Sequence, residues 1–66
     1  MRIRIWIARD KNDELNIYLN KPVLDKDGYV FLPTGDAFRF FDIDKKLFPE
    51  VTFEKSPMQV ELHLIK

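Results

Sequence analysis

The sequence contains no cysteine and only one histidine, so the usual covalent and metallic supports of a small protein are missing. Without cysteine the chain forms neither a disulfide nor a thiolate metal site, and one histidine is too few for a structural zinc site. A chain of 66 residues buries only about 60% of the surface that its unfolded form exposes. We therefore expect a single domain, residues 1–66, with a narrow stability margin, no metal and no cofactor.

An excess of charge of one sign and long apolar runs are also missing. Eleven basic residues balance eleven acidic ones, so the whole molecule is not suited to non-specific binding of polyanions. Arg2, Arg4 and Arg9 interrupt the apolar residues near the amino terminus, and no run approaches the roughly 20 apolar residues that span a bilayer. These features predict a cytoplasmic protein that does not enter the membrane.

The first twenty residues show a strict alternation that predicts a β-hairpin of residues 2–9 and 14–20. Every isoleucine and leucine lies at an odd position, so each strand has one aliphatic face; the six are Ile3, Ile5, Ile7, Leu15, Ile17 and Leu19. Pairing Ile7 with Ile17 leaves residues 11–13 as a three-residue loop whose last residue, Asp13, tolerates the left-handed conformation that such loops require. This register places Trp6 opposite Tyr18 on the other face.

The remaining residues predict further short strands at 29–32, 37–43, 51–54 and 58–65. Residues 23–24 are expected to be a short bridge into a turn at 25–28, where Gly28 is available for a positive φ. We expect residues 29–32 and 37–43 to form a second hairpin, and Met58, Val60, Leu62 and Leu64 to point inward from the last strand. Asp44 caps a single helical turn that ends before Pro49, and Leu47 and Phe48 plug one end of the sheet. The predicted fold is mainly β, a small antiparallel sheet or barrel of about five to six strands with one short helical turn near residues 44–48.

The residues that could serve catalysis or metal binding are better explained by structural roles. The acidic segments 10–14 and 25–28 resemble calcium loops, but they lack the required spacing and closing glutamate, so turn chemistry is favoured. Asp42 and Asp44 could serve as acid and base, although a strand end with a cap is the favoured interpretation. His63 has no nucleophile near it in sequence. We therefore expect no catalytic residue and no enzyme.

One constellation, the face that carries Trp6 and Tyr18, is a candidate binding site. Its rim consists of Arg4, Arg9, Asn16 and Asn20. Aromatic rings beside arginines can stack nucleic-acid bases or anchor a protein interface. The alternative is that another segment, either residues 47–48 or the last strand, covers this face and makes it a second small core, because large aromatic side chains are mostly buried.

Several segments carry a resemblance to a known group of proteins. They are IWIARDKN at residues 5–12, YLNKP at 18–22, LFPEVTFE at 47–54, then Ser56-Pro57 and residues 60–62. These segments resemble short uncharacterised proteins from gut-bacterial genomes, prophages and mobile elements, and the similarity does not extend to residues 23–41. The resemblance implies no catalytic residue. It implies a genomic setting in which small proteins often bind and modulate a larger one.

Two functions follow as expectations. In the first, the protein is a non-enzymatic interaction module that presents the aromatic and arginine face, or an open sheet edge, to a protein partner or to a second copy in a homodimer. In the second, it is a small barrel of the OB or SH3-like kind that binds single-stranded nucleic acid by stacking. Such barrels carry a positive groove, which the balanced charges here do not supply, so the first function is favoured.

Overall fold

The computed structural model describes residues 2–35 and 40–63. These residues form an all-β structure without a helix, which confirms the predicted fold class. Its strands are β1 (Arg2–Arg9), β2 (Leu15–Tyr18), β3 (Val23–Leu24), β4 (Phe31–Leu32), β5 (Phe40–Ile43) and β6 (Met58–His63). A four-stranded antiparallel sheet has the order β5-β2-β1-β6, and β3 and β4 form a separate two-stranded sheet. The sequence left open whether the strands form a sheet or a barrel, and the described strands form open sheets.

The β1–β2 hairpin has the register that the alternation predicts. Ile7 lies opposite Ile17 and Trp6 lies opposite Tyr18. The backbone N–H of Asp10 donates to the carbonyl of Glu14 at 2.8 Å, which closes the three-residue loop. Asp13, the last loop residue, has a φ of 78°. The hairpin prediction is therefore confirmed down to the residue in the left-handed conformation.

The second hairpin differs from the prediction, because β4 pairs with β3 and not with residues 37–43. Leu24 lies opposite Phe31 across this pair. The turn between them is fixed by Asp25, whose Oδ1 accepts the N–H of Gly28 at 2.8 Å and of Tyr29 at 3.0 Å. Gly28 has a φ of 79°, as expected. This side chain closes a short turn locally, which favours the nearer strand as the partner of β4.

Strand β5 joins the first hairpin instead. Phe41 lies opposite Ile17, and Ile43 lies opposite Leu15. Because cross-strand neighbours point to the same side of a sheet, these two residues extend the aliphatic face of β1 and β2. The predicted pairing of residues 29–32 with 37–43 is therefore wrong for the described part of that segment, and residues 36–39 lie outside the described residues.

The segment that connects β5 to β6 contains turns and no helix. The N–H of Leu47 donates to the carbonyl of Asp44 at 2.9 Å, and Asp44 Oδ1 accepts the N–H of Lys46 at 2.9 Å. The predicted helical turn is thus a capped turn. Leu47 and Phe48 are exposed, so the prediction that they plug the sheet is wrong, and the buried Val51 takes that place.

Residues 51–54 do not form the expected strand, because consecutive turn hydrogen bonds bend the chain on both sides of them. The N–H of Val51 donates to the carbonyl of Phe48 at 2.9 Å, and the N–H of Ser56 donates to the carbonyl of Phe53 at 3.2 Å. The peptide bond between Ser56 and Pro57 is cis. Strand β6 begins directly afterwards at Met58. Leu64 lies outside the described residues.

The four-stranded sheet carries a small core on each face. On the aliphatic face, Ile7, Leu15 and Val51 are buried together, and four partly buried residues pack against them: Ile17, Ile43, Met58 and Val60. On the opposite face, which we call the second face, Ala8, Tyr18 and Phe31 are buried, with Trp6 and Phe53 against them. Both cores lie near the carboxyl end of β1. The other end of the sheet, near Ile3 and Leu62, extends beyond them.

Candidate functional site

Tyr18, the centre of the predicted binding site, is buried in the core of the second face. Its side chain is only 1% exposed. The ring stacks on Phe40 with centroids 5.7 Å apart, and the hydroxyl donates to the carbonyl of Phe31 at 3.1 Å. Burial raises the pKa of Tyr18 to about 12, and the nearby charge of Asp10 adds to this effect. In this structure the Tyr18 ring is therefore not available for stacking or for a partner.

The segments that cover Tyr18 are not those named by the sequence. Phe31 of β4 is buried together with Tyr18, and Phe53 packs against this cluster, with its ring 6.0 Å from the ring of Phe31. Residues 47–48 and the last strand do not cover this core. The alternative that this face is a second small core is therefore right for its centre. The residues that cover it are different from those that the alternative named. No signal in the sequence distinguishes Phe31 and Phe53 from the other phenylalanines.

Two residues from the predicted rim, Asn16 and Arg9, are also buried. Asn16 lies opposite Ala8 on one side and Asp42 on the other, and its Oδ1 has no hydrogen-bond partner within residues 2–35 and 40–63. Arg9 lies on the aliphatic face and holds the segment between β5 and β6. Its Nε donates to the carbonyl of Val51 at 2.6 Å, and its Nη2 donates to the carbonyl of Leu47 at 3.2 Å. Both side chains are therefore enclosed by the fold and do not form the rim of an open binding site.

The other predicted site residues lie at the open end of the second face. Trp6 is partly exposed, with Lys21 Nζ 5.5 Å from the centre of its ring. Arg4 has a side chain that is 73% exposed and lies 4.0 Å from a carboxylate oxygen of Glu61. Asn20 is exposed and donates to the carbonyl of Thr34 at 3.0 Å. A role in binding for these three residues stays a prediction.

Glu61 offsets part of the positive charge at this end of the sheet. Arg2 Nε lies 3.4 Å from one of its carboxylate oxygens, and His63 Nε2 lies 3.2 Å from the same oxygen. Exposed ion pairs of this kind contribute only about 0–1 kcal/mol each to stability. They do, however, place a carboxylate among the cations. The surface they form is therefore a mixed charged surface and differs from the positive groove that tracks a nucleic-acid backbone.

An exposed apolar surface lies on the opposite side of the same sheet. We define the apolar patch as Ile3, Leu19, Phe41 and Leu62, which are 38%, 42%, 56% and 45% exposed. Ile3 and Leu62 face each other across β1 and β6, and Phe41 lies opposite Ile17 across β5 and β2. Leu19 is the first residue after β2, and the alternation from Ile17 assigns it to the same side. Between them lie the buried Ile5 and the partly buried Val60, which pair with each other. The patch is continuous with the aliphatic core and crosses the sheet from one edge strand to the other.

Ile3, Leu19 and Leu62 belong to the face that alternation predicts to be the core, and the prediction that they are buried is wrong. Alternation predicts which residues share a face, but it does not say how far another segment covers that face. The only sequence signal of an exposed apolar surface was at Phe41, because two neighbouring phenylalanines put apolar side chains on both faces of its strand. A strand with two apolar faces is covered on both sides or faces a partner.

A cleft of about 410 Å³ lies at the other end of the sheet, near the loop of the first hairpin. Asp10 forms part of its wall, but one of its oxygens accepts the N–H of Phe31 at 2.8 Å, which joins β4 to the first hairpin. Desolvation raises the pKa of Asp10 despite that hydrogen bond. Arg9, also in the wall, is already bonded to backbone carbonyls. The two buried polar residues of this cleft, Arg9 and Asp10, therefore hold the fold together.

No group of three or more histidine or acidic side chains in residues 2–35 and 40–63 is placed to hold a metal ion. The same residues contain no helix with the length and apolar character needed to cross a membrane.

Comparison with known proteins gives no match to a family model, to a curated protein or to a solved structure. The resemblance to short proteins of gut-bacterial genomes, prophages and mobile elements therefore stays a prediction.

Proposed function

We propose that this protein is a non-enzymatic protein-interaction module that binds a partner through the apolar patch. The observation that carries the proposal is the exposure of four large apolar side chains on one continuous face of the sheet. The largest contiguous apolar patch on a soluble monomer is typically about 300–600 Å², and it often has a function. On this proposal the protein acts in the cytoplasm.

The size of the patch sets the energy that it can contribute. Large side chains that are about half exposed leave roughly 300 Å² of apolar surface in this patch. Burying that area yields about 7 kcal/mol at roughly 25 cal/mol per Å². Association costs a similar or larger amount in lost freedom of motion. The patch is therefore able to anchor a partner, but tight binding requires additional contacts around it.

The chemistry of the patch defines its partner as an apolar protein surface. None of its four side chains is charged, whereas the charged residues Arg2, Arg4 and Glu61 point to the second face. Binding of single-stranded nucleic acid is less well supported, because Tyr18 and Asn16 are buried and Glu61 is paired with the arginines. The open part of the second face carries the rings of Trp6 and the exposed Phe40, but its two arginines share the carboxylate of Glu61 and form no uniformly positive groove.

The test compares Leu19→Ser with Leu24→Ser in affinity purification from host cells, with co-purifying proteins identified by mass spectrometry. The two leucines are a matched pair, since they are 42% and 44% exposed and only Leu19 belongs to the patch. Both variants should fold. Leu19→Ser, alone or with Phe41→Ser, should lose the partner of the wild-type protein by about tenfold or more, as expected for an interface anchor.

Two results would contradict the proposal. One is a partner that the Leu19→Ser, Phe41→Ser double variant retains at wild-type level while Leu24→Ser loses it. The other is nucleic acid in the purified protein, detected by its ultraviolet absorbance ratio and released by nuclease, in place of a protein partner.

A further inference from the structure

The outer edge of β6 is an open template for another strand. Among the described residues β6 pairs only with β1, and its outward-facing N–H and C=O groups have no backbone partner. Natural sheets protect such edges with proline, lysine, a bulge or a covering loop. The strand MQVELH contains neither proline nor lysine, and its pairing with β1 runs without a break from Met58 to His63. Its one acidic side chain, Glu61, is already held by arginines of β1.

Symmetry restricts how two copies of β6 can pair. Side chains that face each other across a strand pair point to the same side of the sheet. If the two aliphatic faces lie on opposite sides of the joined sheet, every apolar residue of β6 faces a polar one. If they lie on the same side, apolar residues face apolar ones, and one residue of β6 faces its own copy across the two-fold axis. Only the second arrangement keeps like side chains together.

Charge then selects the residue on the axis. Two registers keep five of the six strand residues paired, one with Val60 on the axis, which pairs residues 58–62, and one with Glu61 on the axis, which pairs residues 59–63. The second register places two carboxylates opposite each other, which is destabilising. The first places Val60 against Val60, Met58 against Leu62, and the exposed amide of Gln59 against the carboxylate of Glu61.

We propose that the protein forms a homodimer in which β6 pairs antiparallel with β6 of a second copy, with Val60 on the two-fold axis. The two four-stranded sheets become one sheet of eight strands, and the half-exposed Leu62 of each copy packs on Met58 of the other. The apolar patches of both copies then lie on one side of this sheet. The other edge, β5, is a weaker candidate, because the same rule pairs only residues 40–42 there, with Phe41 on the axis.

This inference does not rest on the proposed function. The substitution Leu19→Ser leaves the β6 edge intact, so partner binding and dimer formation can fail separately.

A cysteine scan tests the register directly, because the chain has no cysteine of its own. Val60→Cys places two thiols across the axis, where opposite residues have Cα atoms about 4.5–5.5 Å apart, within the range of a disulfide. Leu62→Cys is the control, since two copies of residue 62 lie four strand positions apart, roughly 13 Å. Mild oxidation should convert Val60→Cys to a covalent dimer and leave Leu62→Cys monomeric, although residue 62 is the more exposed of the two.

A second pair of variants tests the contact between Gln59 and Glu61 without a cross-link. Gln59→Lys should tighten the dimer and Gln59→Glu should weaken it, each by roughly two- to tenfold in the dissociation constant measured by sedimentation. Gln59 is exposed, so neither change should unfold the monomer. The proposal is overturned if the wild-type protein stays monomeric at high micromolar concentration, if Leu62→Cys or Phe41→Cys cross-links as readily as Val60→Cys, or if both Gln59 variants shift the dimer in the same direction.

Discussion

Replacing Arg9 should destabilise this fold more than any other change of a charged residue in β1. The guanidinium donates six hydrogen bonds, and five of its acceptors are backbone carbonyls of Asp13, Lys45, Leu47, Phe48 and Val51. The bond to Val51 is buried, whereas water can replace the donor at several of the others. A hydrogen bond to a charged group contributes about 1.5–3 kcal/mol. Allowing for rehydration, Arg9→Ala should cost about 3–5 kcal/mol.

That cost is a large part of the whole stability, which is about 3–10 kcal/mol for a chain of this length. Arg9→Lys should still cost about 2 kcal/mol, because an ammonium group lacks the planar fork that reaches several carbonyls at once. Arg4→Ala is the matched control, from the same strand but exposed, and should cost no more than about 1 kcal/mol. Urea denaturation gives these values. The reasoning is refuted if Arg9→Lys has wild-type stability or if Arg9→Ala is no worse than Arg4→Ala.

Two further predictions concern buried groups of the second core. Tyr18→Phe should cost about 1 kcal/mol through loss of the bond to the Phe31 carbonyl, and Tyr18→Ala should destabilise at least as much as Ile17→Ala in the same urea assay; a smaller loss would contradict burial of the ring. The pKa of Asp10 is raised from its usual 3.8, so the folded state binds this proton more tightly than the unfolded state does. Wild-type protein therefore loses stability as the pH rises from 3.8 through the raised pKa of the folded state. Asp10→Asn keeps an acceptor for the Phe31 N–H, and should gain stability relative to wild type from pH 3.8 upward; parallel pH profiles would count against it.

The sequence was sufficient for the first hairpin because two independent signals agreed there. The parity of the six aliphatic residues and the tolerance of Asp13 for a left-handed conformation both require the same three-residue loop. A slip by one residue turns Ile5 and Ile7 away from the core. The turn of residues 25–28 was predictable for a similar reason, since aspartate and glycine in that order favour it.

The candidate site was not predictable in the same way, because burial depends on segments that are distant in sequence. Arg4 and Arg9 share a strand and an amino-acid type, yet Arg9 is surrounded by the carbonyls of residues 45–51 and Arg4 faces water. Alternation already places the two arginines on opposite faces, but the burial of Arg9 follows from the path of the connecting segment. The same path decided that Val51, and not Leu47 or Phe48, fills the aliphatic core.

The length of that segment also explains why the apolar patch is exposed. Strands β5 and β6 are opposite edges of the sheet, so residues 44–57 have to cross about three strand spacings, roughly 14–15 Å. They cross at the end near Arg9, where Val51 packs on the aliphatic face and Phe53 on the second face. Ser56 secures the crossing, since its Oγ accepts the N–H of Arg9 at 2.9 Å and donates to the carbonyl of Thr52 at 2.6 Å. A connection that passes around one end does not cover Ile3 and Leu19 at the other, so a second layer over them has to come from another surface.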